Sequence, residues 1–228
     1  MPSAPSLALL VSVVVASCGG SAPVAPTEPS GRVSGGVPVF EGTFEPVDET
    51  ASDPGFAAFV ERLGAAVAAR DTAALVAATS PTARFSFDDV PLGADGLRAV
   101  WLDGREAELW DALERVLGGG FVAEEDAFTA PYVFALWPSD ADPFAHVAVP
   151  GRGVAAYDQP GGDVVARLST VVLPALTPRQ GDWWAVRLPS GAAAFVEARH
   201  VVSPLGHRLT AWPDAGGAWR IQTMLSGD

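Results

Sequence analysis

The sequence predicts an α+β protein: an N-terminal helical region packed with a small C-terminal β-barrel and a terminal β-hairpin. Three observations support this fold class. Apolar residues recur at helical spacing within residues 53–142, short β-type runs separated by turn signals fill residues 143–202, and two more such runs joined by a Gly-rich turn occupy residues 203–228. The 24 glycines and 20 prolines among 228 residues favour short elements over a long helical bundle.

The acidic first half is predicted to be mainly helical. Asp53 can cap a helix and Pro54 suits its first turn. The apolar residues that follow at helical spacing are Phe56, Phe59, Val60, Leu63 and Val67. The other elements predicted for this half are helices at 72–78 capped by Asp71, near Ala94, and at 104–117 between Asp103 and Gly118, with strands at 84–87 and 132–137.

The second half changes to short runs rich in β-branched and aromatic residues, with Gly and Pro turns between them. Several short strands at regular spacing with such turns are typical of a small barrel. The runs are 154–157, 164–168, 171–176, 183–188 and 192–196, followed by a hairpin of 208–212 and 219–225 around the turn 213–217.

Charge is divided unevenly between the halves and restricts the possible partners. Residues 41–142 hold 20 acidic residues and 6 arginines, whereas residues 143–228 hold 6 acidic residues and 7 arginines. The formal net charge of −13 argues against nucleic acid as a partner, because phosphate binding needs clustered Lys and Arg. The single cysteine excludes an internal disulfide, a multi-cysteine zinc site and an iron–sulfur cluster, and no cofactor is expected.

The N-terminal segment is predicted to be a targeting signal. Its uncharged, mostly apolar run of 11 residues, 7–17, is too short to span a bilayer, since that needs about 20 residues. Val15-Ala16-Ser17-Cys18 resembles the lipobox of bacterial lipoproteins. The resemblance implies that residues 1–17 are removed, that Cys18 carries the lipid, and that the protein is anchored in the cell envelope. An ordinary cleaved signal, with Cys18 incidental, is the alternative.

The residues that follow the signal bear on the location of the protein. Gly19 after the lipidated cysteine implies, by the same resemblance, an outer-membrane protein facing the periplasm if the cell is Gram-negative. Residues 18–52 are rich in Pro, Gly, Ser, Val and Glu without a helical period, and we expect a flexible tether there.

The barrel segment, residues 143–202, resembles a bacterial SH3-like (SH3b) domain. The run that carries the resemblance best is Gly181-Asp182-Trp183-Trp184-Ala185-Val186-Arg187-Leu188, with Gly153-Val154-Ala155-Ala156-Tyr157 before it and Ala194-Phe195-Val196-Glu197 after it. More widely, residues 53–228 resemble a group of uncharacterised bacterial SH3 domain-containing proteins. That resemblance implies one integrated structure and no particular activity.

Four aromatic residues are the candidate ligand-binding side chains. Trp183 and Trp184 are adjacent, so on a strand they point to opposite faces. One is expected in the barrel core, and the other can present its ring to a peptide, a glycan or a partner, or can pack against the helical half. Tyr157 and Phe195 complete the set.

Neither catalytic nor metal-ligating residues are predicted. The acidic clusters lack calcium-loop spacing, the histidines lack His-Glu-x-x-His spacing, and Ser203 lies outside any Gly-x-Ser-x-Gly elbow. The residues considered were Asp88, Asp89, Glu124, Glu125, Asp126, Asp140, Asp142, His146, His200 and His207.

The favoured function is a non-enzymatic, lipid-anchored envelope protein whose barrel binds peptidoglycan or a protein partner. Two alternatives remain: a structural accessory protein in which the barrel only packs as a core and has no ligand groove, and a hydrolase that uses the acidic residues.

Overall fold

The computed structural model describes residues 31–32 and 36–227 and has an α+β fold. Its helices are α1 (Pro54–Ala69), α2 (Thr72–Ala78), α3 (Gly93–Leu97), α4 (Glu106–Leu117) and α5 (Tyr132–Ala135), with 3₁₀ turns at Thr50–Ser52 and Ala198–His200 and a π-helical turn at Arg98–Leu102. Its strands are β1 (Gly31–Arg32), β2 (Val39–Glu41), β3 (Thr79–Arg84), β4 (Val122–Glu124), β5 (Ala127–Ala130), β6 (His146–Val149), β7 (Val154–Tyr157), β8 (Val164–Ser169), β9 (Val171–Pro174), β10 (Trp183–Arg187), β11 (Ala193–Glu197), β12 (Arg208–Pro213) and β13 (Trp219–Leu225).

The helices begin where the sequence supplies caps. The Asp53 carboxylate accepts a hydrogen bond of 2.6 Å from the Phe56 amide at the start of α1, and the Asp71 carboxylate accepts one of 3.0 Å from the Ala74 amide at the start of α2. Each bond satisfies an amide that has no partner inside its own helix. The predicted helices 54 onward and 72–78 are therefore confirmed.

One core joins the helices to the C-terminal hairpin. The order of the five-stranded sheet is β3-β13-β12-β5-β4. Helices α1, α2 and α4 pack on it, and Leu209, Ala211, Ile221 and Met224 of the hairpin are buried in the same cluster as Phe56 and Leu113. The predicted unit 203–228 thus shares its core with the predicted helical region 53–142, although residues 143–202 separate the two in the chain.

A second core lies within the strands of residues 143–202. The six-stranded sheet has the order β1-β2-β8-β7-β11-β10, and β6 pairs separately with β9. Only Thr170 separates β8 from β9, and an isolated bridge between Ala175 and Val186 connects the segment after β9 to β10. The predicted small sheet of five runs is present, but its ladders form two sheets joined by a bridge instead of one closed barrel.

The tether prediction does not hold for residues 36–52. Strand β2 pairs in parallel with β8, and Phe40 is buried in the second core. Glu49 then accepts the Ala123 amide at 2.8 Å, which ties this segment to the first half as well. Gly42 permits the close approach, because a Cβ there would collide with the Thr170 carbonyl. The sequence does not predict this strand, because three residues, 39–41, are too few to show a period.

Two strand predictions and one helix cap in the first half are wrong. Residues 132–137, predicted as a strand, begin with the short helix α5, in which the Leu136 amide donates to the Tyr132 carbonyl at 2.8 Å. The predicted strand 84–87 lies earlier, at Thr79–Arg84, where Pro81 is tolerated because β3 is an edge strand. Helix α4 begins at Glu106, and Asp103 does not cap it. A short apolar run does not distinguish strand from helix by its period.

Candidate functional site

Three of the four predicted aromatic residues lie together on the outer face of the six-stranded sheet. Phe195 of β11 is opposite Tyr157 of β7 on one side and Ala185 of β10 on the other. Trp183 lies two residues from Ala185 and therefore faces the same way. The Tyr157 and Trp183 rings meet edge to face, with centroids 5.4 Å apart. All three aromatic side chains are half-buried, so part of each ring meets solvent.

Trp184 is on the opposite face and does not belong to this surface. Its neighbours on the inner face, Val186 and Val196, are fully buried, and Trp184 packs at the edge of their core while remaining half-buried. The prediction that the two tryptophans face opposite ways is confirmed. The remaining exposed part of Trp184 lines a groove beside the helical half.

This groove has a volume of about 1400 Å³. It lies between the helical part of the molecule, at the end of α4, and the six-stranded sheet, at Trp184. One wall comes from residues 46–48, the end of α4, Gly118–Gly120 and the start of α5; the other comes from Trp184, residues 197–199 and residues 201–203. Gly120 has a φ of +74° and a Cβ there would strike the Val47 carbonyl, so glycine is required where the first wall turns.

The acidic side chains of the groove are already engaged. Asp182 pairs with Arg179 at 3.7 Å, and Glu197 pairs with Arg199 at 2.7 Å. The Asp48 carboxylate accepts three hydrogen bonds, from the Thr50 amide and hydroxyl and from the Phe121 amide.

The hydrogen bonds to Asp48 also control its protonation. Burial would raise the pKa of Asp48, but the bonds from Thr50 and Phe121 favour the carboxylate and hold its pKa below the ordinary value. The ionised Asp48 carboxylate therefore holds residues 46–50 against the backbone at Phe121.

His207 lies at the helical end of the groove against a buried tryptophan. Its ring centroid is 5.4 Å from that of Trp101, and the Arg105 guanidinium lies 4.7 Å from the centroid of the same Trp101 ring. Burial first, and then the charges of Arg115 and Arg105, lower the pKa of His207, while Glu108 acts weakly in the other direction. Burial and these two arginines thus favour the neutral form of the His207 imidazole.

Tyr132 contributes a buried hydroxyl to the same region. It is 4 % exposed, lines the groove, and packs against Phe44 with centroids 5.3 Å apart. Its hydroxyl has no hydrogen-bond partner among the described residues. Burial and the nearby charge of Glu45 raise the pKa of Tyr132 to about 12, so the hydroxyl keeps its proton at neutral pH.

The side chains considered for catalysis or metal binding are dispersed. The seven acidic residues of the three clusters are all exposed, and the part of the chain that the structure describes has no group of three His, Cys, Asp or Glu residues placed to hold a metal ion. His146 contacts the Asp142 carbonyl, His200 accepts from Arg199, and Ser203 accepts from the Leu205 amide. Cys18, the predicted lipid attachment site, and the predicted signal 1–17 lie outside the described residues.

The groove could not be predicted from the sequence. Arg115 and the three glycines at 118–120 form a stop signal for α4, but nothing in their spacing indicates that they line the same groove as Trp184. The pairing of a helix end with a strand some 65 residues later is set only by the fold.

Within residues 31–32 and 36–227, every helix is too short or too polar to traverse a lipid bilayer.

Comparison with known proteins identifies no family for this chain. No family model, no curated protein and no solved structure matches this chain.

Proposed function

We propose that this chain is a non-catalytic, lipid-anchored protein of the cell envelope whose SH3-like module binds peptidoglycan through its outer aromatic face. The single observation that carries the binding role is the cluster of Tyr157, Trp183 and Phe195 on one solvent-facing sheet surface. Apolar rings on a half-buried surface provide flat faces on which sugar rings or peptide side chains pack.

The SH3-like assignment is supported by connectivity within residues 143–202. Strands β7, β8, β10 and β11 form antiparallel neighbours, β8 continues into β9 after one residue, and a 3₁₀ turn at Ala198–His200 follows β11. A compact arrangement of five short strands is the pattern expected of such a module. Lipid attachment rests on the Val15-Ala16-Ser17-Cys18 sequence.

Binding is tested by sedimentation of the full-length chain with purified peptidoglycan sacculi. Trp183→Ala and Tyr157→Ala should each leave most of the protein in the supernatant, whereas the wild type sediments with the sacculi. Trp212→Ala is the matched control, because Trp212 is 40 % exposed but belongs to β12 of the five-stranded sheet. A wild-type protein that stays wholly in solution contradicts peptidoglycan binding.

The variants also separate the proposal from its rivals. If Trp183→Ala lowers the melting temperature without altering sedimentation, the strands serve only as core and the protein is a structural accessory. Capture of an envelope protein that is lost in Trp183→Ala, with no sacculus binding, would assign the face to a protein partner instead.

The lipid anchor has its own test. Mass spectrometry of the native N-terminal peptide should show an acylated Cys18 as the first residue, and Cys18→Ser should move the protein from the membrane fraction to the soluble fraction. An unmodified Cys18 in an uncut chain contradicts the anchor without affecting the binding experiment.

A further inference from the structure

We draw no further inference here: the strongest candidate, the surface patch beside β12 and α5 in which the exposed rings of Phe87 and Phe134 flank the Arg208 guanidinium at 5.4 and 4.5 Å, carries no proposal because nothing among the described residues shows what covers it.

Discussion

At the scale of single residues, one buried and one half-buried group affect stability and its dependence on pH. The Tyr132 hydroxyl is buried without a hydrogen-bond partner among the described residues, and the half-buried His207 imidazole contacts Trp101 and feels the charges of Arg115 and Arg105. A buried polar group without a partner costs stability, and a histidine beside cations resists protonation.

Tyr132→Phe should leave the protein equally stable or up to about 1 kcal/mol more stable. The substitution removes a hydroxyl whose desolvation no described residue compensates, while it keeps the ring contact with Phe44. Urea unfolding measures the change. Tyr157→Phe, on the half-buried outer face, is the matched control and should alter stability by no more than about 0.5 kcal/mol. A loss above 1 kcal/mol for Tyr132→Phe would mean that a buried water binds the hydroxyl.

His207 should make the protein less stable as the pH falls. Its pKa is lowered in the folded state, so the unfolded chain binds the proton more tightly; this contribution is fully present above pH 6.5 and is lost as the pH falls towards the folded-state pKa. His207→Gln should flatten the decline in unfolding free energy between pH 7.5 and 5.5.

Arg115→Gln provides the second measurement on His207. Removing this positive charge should raise the pKa of the His207 ring, as followed by NMR titration. A wild-type His207 pKa at or above 6.5 would contradict the assignment of the surrounding charges.

At the scale of elements, strand β2 changes the description of the N-terminal region. It adds to the edge of β8, and its Phe40 fills the second core. The following residues cross to the first half, where Glu49 and Asp48 bind the amides of Ala123 and Phe121. Residues 36–52 therefore connect the two halves as part of the folded structure.

Phe40→Ala should destabilise the protein by about 3–5 kcal/mol, the cost of deleting a buried phenylalanine from a packed core. Denaturant unfolding gives the value. Phe87→Ala is the matched control, since Phe87 is 56 % exposed, and it should cost far less. Equal effects of the two substitutions would restore the interpretation of residues 36–52 as a tether.

At the scale of the whole molecule, the chain returns to its first core after completing its second. Strand β13 pairs in parallel with β3, Ile221 lies opposite Thr79, and Arg220 donates to the Ala77 carbonyl. A third, smaller cluster with Tyr132, Val133 and Ala148 lies where the two halves meet. The terminal hairpin is thus a structural part of the helical half.

Ile221→Ala should destabilise the helical half as a unit, by about 2–5 kcal/mol. Hydrogen exchange should then quicken in α1 and α4, which share the core of Ile221, more than in β7, β10 and β11. If faster exchange is confined to β12 and β13, the hairpin is an independent unit and the shared core does not couple it to the helices.

Local signals predicted the elements that depend on neighbouring residues. Asp53 and Asp71 identified the starts of α1 and α2 because a cap needs only an amide three residues away. Alternation predicted that Trp183 and Trp184 face opposite sides, because the side-chain period of a strand is two. The turn at 213–217 was also predicted from its local sequence, and in the structure the Asp214 carboxylate accepts hydrogen bonds from the amides of Gly216 and Ala218.

The sequence by itself determined the fold class, most helices and strands, and the opposite orientation of Trp183 and Trp184, since these depend on contacts only a few residues apart. Only the tertiary structure decided that residues 36–52 are folded in, that the hairpin belongs to the helical core, and that Arg115 and Trp184 line the same groove. Those contacts join residues tens to more than one hundred positions apart, and their stability comes from shared apolar burial, which has no local pattern.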